Sequence, residues 1–564
     1  MNIPRCEHPN PQFYRDGWQN LNGTWEFEID YGTSGHERGM EDPGYKMNSQ
    51  ILVPFCPESS LSGIGHKDFM NCVWYKRTIE VTEEQLKGRI ILHFGAVDHE
   101  AFIYINGRQV CTHKGGYTAF ETDITDFVTV GENVITVRAV DDVRDPLVAR
   151  GKQSERWYSH ECDYTRTTGI WQTVWLEYKP CDFVKSVKYY PNSALGSVTM
   201  EVQLAGSQTL KAEVFYEGKP MGSKEFACHT GTEVFSIDLA EKHVWEIGCG
   251  RLYDVVLTYG EDTVKSYFGL RSFRIDGRKL LINDKPVFLR QILDQGFYPD
   301  GIYTAPSDEE LKGDILRSQA LGFNGARLHE KVFEPRFLYH CDCLGYIVWG
   351  EFPDWGIDYS RSDAITGILP QWVEEITRDF NHPAIIGWCP SNEVYNLSFQ
   401  RTVIETLYNV TKALDPTRIA IDASGGYHIK TDILDIHDYA LPKDLKAFYE
   451  EFFTLDDPDF YKKGDYKYNG GPVFISETGG IGFSDKADTW AYHDVPKTKE
   501  ALLERFRGVI DALLDNPNLC GFCYTQLTDI EQERNGLYTY EREPKLDPAV
   551  VHAIVSRKAA MEKN

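Results

Sequence analysis

The sequence predicts a multidomain chain in which a jelly-roll β-sandwich and an immunoglobulin-like β-sandwich precede a (β/α)8 TIM barrel. Its length of 564 residues exceeds what a single ordinary core accommodates. Short alternating strands fill the first half, whereas buried apolar runs alternate with helical segments after residue 273. We therefore expect a jelly-roll domain at 1–182, an immunoglobulin-like domain at 183–272 and a barrel at 273–564.

The first predicted domain consists of short runs that alternate apolar and polar residues, such as 89–95, 101–105 and 133–138. Asn106-Gly107 directly follows the run 101–105 and precedes Val110, which is a strong signal for a hairpin. This pattern of short alternating strands and turns favours a sandwich of the jelly-roll type. The runs at 197–204, 211–216 and 252–258 suit an immunoglobulin-like sandwich, although the Cys…Trp…Cys signature is absent from the sequence.

The barrel prediction rests on about eight apolar runs, each of the kind that is buried on both faces of a parallel sheet. The helical segments between them are predicted near 308–321, 371–380, 402–414 and 498–514.

Composition narrows the class of protein. The net charge of −26 argues against nucleic acid or an anionic membrane surface as the main partner. No run approaches the ~20 apolar residues of a membrane span, and the first residues lack the apolar segment of a secretory signal. We expect a cytoplasmic protein whose 13 cysteines are reduced. The close pairs Cys341/Cys343 and Cys520/Cys523 lie in apolar context, which favours core cysteines over disulfides or zinc ligands.

Polar side chains stand at the ends of the predicted barrel strands, where barrel proteins carry their catalytic groups. Glu393 and Glu477 each close a hydrophobic run, and two carboxylates on one barrel face can supply an acid and a nucleophile to a glycosidic bond. For Arg327 and Glu351, a purely structural buried ion pair explains the pattern equally well. The full set of candidates is Asp294, Arg327, His329, Glu351, Asn392, Glu393, Asp422, His437, Tyr439, Glu477, Gln526 and Asp529.

Several motifs in the same order resemble glycoside hydrolase family 2, the family of β-galactosidases, β-glucuronidases and β-mannosidases. In the first domain they are Leu21-Asn-Gly-Thr-Trp25, Val53-Pro-Phe55, Leu61-Ser-Gly63, Val73-Trp-Tyr75, His113-Lys-Gly-Gly-Tyr117 and Thr168-Gly-Ile-Trp171. In the barrel they are Trp349-Gly-Glu351, Asn381-His-Pro383 running into Asn392-Glu393, and Ser476-Glu477.

The resemblance implies a retaining double displacement, with Glu477 as nucleophile and Glu393 as acid/base. It also implies that Asn392 hydrogen-bonds the sugar 2-OH. Glu477 must be ionised to attack, and Arg327 and Tyr439 are candidate donors that would hold it so. Glu393 must start protonated, which nearby negative charge or an apolar wall would favour. Retention requires the two carboxyl groups to lie roughly 5–5.5 Å apart.

Other positions admit two interpretations. His329 and His437 could orient a sugar hydroxyl or Glu477, or they could be satisfied core residues. Trp490 could stack on a sugar face or pack its own loop. Together with Asp294, Glu351 and Gln526 these are expected substrate-binding residues, and we expect neither a metal ion nor a cofactor.

The loop after the last strand bears on the sugar. Family glucuronidases carry an Asn-x-Lys motif there that holds the uronate carboxylate, and its places correspond to Glu533 and Asn535 in this sequence. A glutamate would repel a carboxylate, the lysine is missing, and only Arg534 could compensate. We therefore expect an exo-acting enzyme for a neutral, β-galactoside-like sugar on small oligosaccharides or glycosides.

Three alternatives stay open: a β-glucuronidase or other uronidase, an arabinosidase, and a non-catalytic carbohydrate-binding protein with a degenerate barrel. The last would show a broken carboxylate pair, whereas both glutamates are present. The resemblance also implies a homo-oligomer, because members of this family commonly form dimers or tetramers.

Overall fold

The computed structural model describes residues 3–395, 400–454, 466–486 and 489–563. Two β-sandwiches precede an eight-stranded parallel sheet, as the sequence predicts.

The first sandwich packs a four-stranded sheet (β1-β12-β5-β9) on a six-stranded sheet (β3-β2-β4-β10-β7-β8). Its core is formed by alternate inward residues such as Trp25, Val73 and Leu92. Asn106 and Gly107 form the predicted tight turn, both with positive φ. The strands are β1 Trp18–Asn20, β2 Gly23–Ile29, β3 Ser49–Val53, β4 Cys72–Val81, β5 Arg89–Phe94, β6 Val97–Asp98, β7 Glu100–Ile105, β8 Arg108–Lys114, β9 Phe120–Asp123, β10 Gly131–Val140, β11 Gly169–Ile170 and β12 Val174–Lys179.

The second sandwich packs the sheet β13-β14-β17 on the sheet β16-β15-β18-β19. A buried arginine joins it to the first: Arg15 donates to Asp262 in the second sandwich at 2.8 Å and to Glu177 in the first at 3.1 Å. Its strands are β13 Phe183–Asn192, β14 Ser197–Ala205, β15 Thr209–Tyr216, β16 Lys219–Ala227, β17 Thr232–Asp238, β18 Leu252–Tyr259 and β19 Asp262–Gly269.

A short antiparallel sheet leads into the barrel, formed by β20 Phe273–Asp276, β21 Lys279–Ile282 and β22 Lys285–Val287. The barrel strands are β23 Leu289–Asp294, β24 Gly325–Leu328, β25 Ile347–Glu351, β26 Ile385–Cys389, β27 Ile419–Ala420, β28 Leu434–His437, β29 Val473–Gly479 and β30 Gly521–Thr525. The helices are α1 Asp308–Ala320, α2 Pro335–Leu344, α3 Ile365–Asp379, α4 Gln400–Leu414, α5 Pro442–Phe452, α6 Lys499–Leu514 and α7 Pro548–Val555.

The barrel sheet has the order β27-β26-β25-β24-β23-β30-β29-β28, so consecutive strands are neighbours around the ring. The sheet has no ladder between β27 and β28, and their connection, 421–433, is described throughout and contains no helix. The regular alternation of strand and helix therefore fails at this one step. As a result, a loop rather than a helix carries several side chains toward the strand ends.

Two helices begin at residues whose side-chain hydroxyls cap them. The Ser307 hydroxyl accepts a hydrogen bond from the Glu310 amide at the start of α1, and Thr498 does the same for Ala501 at the start of α6. α3 begins at Ile365, six residues before the predicted start. Its first turn packs closely against Ile357 in the loop after β25, a contact that the local sequence does not reveal.

The thirteen cysteines are all free thiols, and Cys341, Cys520 and Cys523 are buried as predicted. Among the described helices, none has both the length and the apolar character needed to cross a bilayer.

Candidate active site

Glu477 projects from β29 and is almost completely buried. Its Oε1 accepts a hydrogen bond from Arg327 Nη1 at 3.0 Å, and its Oε2 accepts one from the Tyr439 hydroxyl. Both predicted donors therefore contact this carboxylate. Such donors stabilise the ionised form that a nucleophile requires.

Arg327, at the end of β24, connects the buried polar groups of the site. It donates to Glu351 Oε2 from Nη2 at 2.6 Å and to Asn392 Oδ1 at 3.2 Å, besides its bond to Glu477. His329 Nδ1 lies 2.8 Å from the second oxygen of Glu351. The Arg327–Glu351 pair is thus both a buried ion pair and the support on which the Glu477 carboxylate is held.

Glu393 comes four residues after β26, in a left-handed backbone conformation with φ of 55°. Its amide donates to the Ser424 carbonyl at 2.8 Å, and its Oε1 lies 2.9 Å from His437 Nδ1. Left-handed conformations of non-glycine residues cluster at functional sites. His437 Nε2 lies 3.4 Å from Glu477, so one imidazole stands between the two glutamates.

The two carboxylates are close together. One oxygen each of Glu393 and Glu477, with a ring nitrogen of His437, all lie within 4.8 Å of one another. This spacing suits a retaining mechanism and is shorter than the roughly 6.5–9.5 Å at which inverting enzymes accommodate a water between the groups.

Burial and neighbouring charges shift the pKa values of both Glu477 and Glu393. Burial raises the pKa of Glu477, but His437 and Arg327 outweigh burial and hold it below its usual value. Burial likewise raises the pKa of Glu393, but the hydrogen bond and charge of His437 lower it to about 2. The sequence-based expectation that the surroundings keep Glu393 protonated is therefore wrong for the unliganded site, because the contact with His437 outweighs burial and lowers the pKa of Glu393.

Asn392 is held by its backbone and one side-chain oxygen. Its amide donates to Asp354 Oδ1 at 2.8 Å, and its Oδ1 accepts from Arg327. The buried Nδ2 has no hydrogen-bond partner among the described residues, so it is available to a sugar hydroxyl.

A network behind the site, which the sequence did not indicate, orients His437. Ser424 Oγ lies 3.0 Å from His437 Nε2 and donates to Asp435 at 2.8 Å. Asp435 also accepts a hydrogen bond from Ser476 and pairs with the buried His428 at 3.0 Å. Asp422, a strand-end candidate, pairs with the other nitrogen of His428 at 2.7 Å, so its contact is structural.

Aromatic side chains flank the nucleophile. Tyr492 stacks on Tyr439 at 3.8 Å between ring centroids, and Trp490 meets Tyr492 edge-on at 4.9 Å. Trp490 therefore reaches Glu477 only through two tyrosines. It also lines a cavity of about 1770 Å³ together with Arg534, Trp157 and Tyr158, whereas Glu393 and Asn392 line a smaller one of about 430 Å³.

The loop after β30 carries a connected set of polar groups. Gln526 Nε2 donates to Asn535 Oδ1 at 2.8 Å, and Asn535 donates to Glu533 at 2.9 Å. The second oxygen of Glu533 accepts from the hydroxyl of Tyr164, a residue of the first sandwich. Burial raises the pKa of Glu533, which weakens its tendency to carry a full negative charge.

Two strand-end candidates, Asp294 and Asp529, have no described contact with Glu393 or Glu477. Asp294 accepts from the Gly296 amide at 2.9 Å, and burial raises its pKa to about 7. Asp529 forms an ion pair with Lys545 at 2.5 Å. A cation at Glu393, His437 and Glu477 would face the guanidinium of Arg327 at 3.0 Å from Glu477, so this cluster is a poor metal site.

Fold and site together define a multidomain barrel protein with a paired-carboxylate centre. Two family models match it: the sugar binding domain of glycosyl hydrolases family 2 over residues 62–180, and the TIM barrel domain of the same family over residues 273–451. The chain belongs to glycoside hydrolase family 2.

Among its relatives, a β-glucuronidase of Paenibacillus borealis is 23% identical and covers 93% of this chain and 95% of its own. A putative β-glucuronidase of Formosa agariphila is 26% identical and a β-galactosidase of Thermoanaerobacter pseudethanolicus is 27% identical; the matches cover 61% and 57% of this chain and 44% of each relative's length. The solved structure of a Ruminococcus gnavus β-glucuronidase in complex with D-glucuronic acid has the same fold, with a TM-score of 0.81, 18% identity and coverage of 98% and 100%.

Proposed function

We propose that this protein is a retaining exo-β-glycosidase in which Glu477 is the nucleophile and Glu393 the acid/base. The observation that carries the proposal is the spacing of the two carboxylates within 4.8 Å, with His437 between them. Arg327 and Tyr439 fix the Glu477 oxygens, which leaves the carboxylate ionised and aimed by two donors.

In the first step Glu477 attacks the anomeric carbon while Glu393 gives its proton to the departing oxygen. His437 Nδ1 lies 2.9 Å from Glu393 Oε1, so the ring is placed to exchange a proton with this carboxyl before Glu393 acts as the acid. Once Glu477 is esterified its negative charge is gone, so Glu393 ionises more readily and removes a proton from water in the second step.

For the sugar we propose a β-glucuronide first, since most of the relatives described above are β-glucuronidases. The objection raised by Glu533 is weaker than the sequence suggests. Its two oxygens accept hydrogen bonds from Tyr164 and Asn535, and its raised pKa reduces the charge that a uronate would meet.

A neutral, β-galactoside-like sugar is the second candidate, and a specific observation favours it. The carboxylates of Glu351, Glu393 and Glu477 all lie in this region and share the guanidinium of Arg327, so the field opposes an anionic substrate unless a further cation compensates.

Replacement of each glutamate tests the mechanism. Glu477→Gln should lower kcat by more than about 10⁴-fold and prevent trapping of a glycosyl-enzyme, because the attacking charge is removed. Glu393→Ala should still turn over substrates with good leaving groups and be rescued by azide, which replaces the base in the second step. Glu504→Gln, on the outer face of α6, is the control and should keep full activity.

Normal turnover by Glu477→Gln, or an α-configured first product observed by NMR from a β-glycoside, would refute the proposal. A panel of nitrophenyl β-glucuronide, β-galactoside, β-glucoside and α-L-arabinofuranoside then separates the candidate sugars. We expect the glucuronide to have the highest kcat/KM.

A further inference from the structure

Lys152 is a buried cation without an anionic partner beside the candidate site. The residue is 4% exposed, and among the described residues its Nζ has no hydrogen bond and no ion pair within 4.0 Å. Its ammonium lies 3.4 Å from the ring centroid of Trp355. A largely buried ammonium that no protein acceptor satisfies is costly unless a ligand or water supplies acceptors.

The segment that carries Lys152 is fixed on the barrel mouth. The amides of Arg150 and Gly151 both donate to the Trp355 carbonyl, at 2.7 and 3.2 Å. The Lys152 carbonyl accepts from the Tyr164 amide at 2.7 Å, and the Tyr164 hydroxyl donates to Glu533. The first sandwich thus delivers this lysine between the loop after β25 and the loop after β30.

The surroundings of Lys152 are those of the site. Trp355, under the ammonium, lines the same 430 Å³ cavity as Glu393. Burial lowers the pKa of Lys152, but the charges of Cys162, Glu533 and Glu330 outweigh burial and raise it, so the group stays protonated. Its positive charge in turn lowers the pKa of Glu393.

We infer that Lys152 is a specificity-determining residue that binds the carboxylate of a uronic acid in the sugar site. It would supply, from the first sandwich, the positive charge that the loop after β30 lacks at Glu533 and Asn535. The inference rests on the proposed function, and it names the substrate class of that same site. An ammonium binding a carboxylate forms a charge-assisted hydrogen bond, which a 6-hydroxymethyl group in the same place forms less strongly.

The test compares two substrates that differ only at C6, nitrophenyl β-glucuronide and nitrophenyl β-glucoside. Lys152→Met keeps the apolar stem over Trp355 and removes the charge. Because the charge also acts on Glu393, both activities can change, but kcat/KM for the glucuronide should fall by about 10- to 100-fold more than that for the glucoside. Lys152→Arg keeps the charge and should retain more glucuronide activity than Lys152→Met.

Lys114→Met removes an exposed lysine of the same sandwich and should leave the ratio of the two activities unchanged. If Lys152→Met lost kcat/KM equally on both substrates, with an unchanged melting temperature, the inference would be overturned. A residue that supports the site in general, rather than binding the carboxylate, would lower both activities alike. A wild-type protein that neither hydrolyses the glucuronide nor binds D-glucuronate would also overturn the inference.

Calorimetric binding of D-glucuronate separates this inference from the proposed function. If the protein hydrolyses no glycoside, the proposed function fails. Weaker glucuronate binding in Lys152→Met than in wild type would still support the lysine's role, and unaltered binding would refute it. If the protein hydrolyses only neutral glycosides, the proposed mechanism stands and the inference about Lys152 falls.

Discussion

At the residue scale, the site depends on one imidazole shared by two carboxylates. His437 contacts Glu393 at 2.9 Å through Nδ1 and Glu477 at 3.4 Å through Nε2. Burial raises the pKa of each carboxyl, but the contacts with His437 outweigh burial and favour the ionised form of both glutamates.

The pH profile of a His437 variant tests whether this imidazole controls the ionisation of the nucleophile Glu477. Activity requires ionised Glu477 and is lost as the pH falls through the pKa of that carboxyl. In His437→Gln the side chain that lowers the pKa of Glu477 is gone, so that pKa rises and the acidic limb of kcat/KM should move upward by roughly one unit. An acidic limb that stays in place while kcat falls would show that His437 acts only through packing.

Asn392 gives a second residue-scale prediction. Its free Nδ2 is placed to donate to a sugar hydroxyl, and the resemblance to the family points to the 2-OH. Asn392→Ala should therefore reduce kcat/KM about 10- to 1000-fold on ordinary substrates. The loss should be much smaller on a 2-deoxy glycoside, which lacks the hydroxyl; equal losses on the two substrates would contradict the contact.

At the element scale, the connection 421–433 between β27 and β28 replaces a barrel helix by polar side chains. It supplies Ser424 to the histidine and His428 to a buried pair of aspartates. Gly425 within it has φ of 62°, and a Cβ there would lie 2.2 Å from the His437 ring. The backbone at Gly425 comes this close to the His437 ring because the connection is a loop. The absence of a helix in this connection is therefore part of how the site is built.

His428 makes the stability of this connection depend on pH. Burial lowers its pKa, but Asp422 and Asp435 outweigh burial and raise it from 6.5 to about 10. The stabilisation from its charge is fully present below about pH 6.5 and is lost as the pH rises through about 10. The difference in unfolding free energy between wild type and His428→Gln, measured in urea, should therefore shrink between about pH 7 and pH 10.

A constant difference across that range would mean that His428 is neutral in the folded protein. The NMR titration of its imidazole protons provides an independent check, because a raised pKa keeps their shifts in the charged form at about pH 8.

The sequence predicted elements whose signals are local. The apolar runs of the barrel, the Asn106-Gly107 turn and the helix predicted near 308–321 all depend on neighbouring residues, and the structure has each of them. The glutamates were found because each closes a hydrophobic run of the sequence. Lys152 and Tyr164 were missed because their roles arise only when two domains that are distant in sequence pack together.

Ser424 escaped notice for a related reason. It follows a strand of two residues and belongs to a connection in which the sequence singled out only Asp422. The acidity of Glu393 was wrongly predicted because the position of His437 beside it follows from the closure of the barrel rather than from either residue's neighbours.

At the scale of the whole molecule, the first sandwich completes the barrel's site rather than standing apart from it. Tyr164 reaches Glu533, and the hydroxyl also accepts from Gln295 of the barrel at 3.0 Å. Thr118 and His113 of the sandwich contact Glu374 on α3. A displacement of the sandwich would therefore change the substrate site directly.

Gly151 is the position at which this coupling can be tested. It has φ of 55°, and a Cβ there would lie 2.5 Å from the Glu330 carbonyl oxygen and 3.0 Å from Pro353. Gly151→Ala should thus force the segment carrying Lys152 away from the loop after β25. We expect kcat/KM to fall by about 10-fold or more, since a small misplacement of binding groups is enough to slow the reaction.

Gly39→Ala is the matched control for this variant. Gly39 has φ of 68°, and a Cβ added there would meet no atom within 4 Å, so the substitution brings similar backbone strain without the clash. Both variants should lose roughly 1 kcal/mol of stability from the left-handed backbone, but only Gly151→Ala should also lose activity. Equal values of kcat/KM in the two variants, measured at matched fractions of folded protein, would mean that the sandwich supports the barrel without shaping its site.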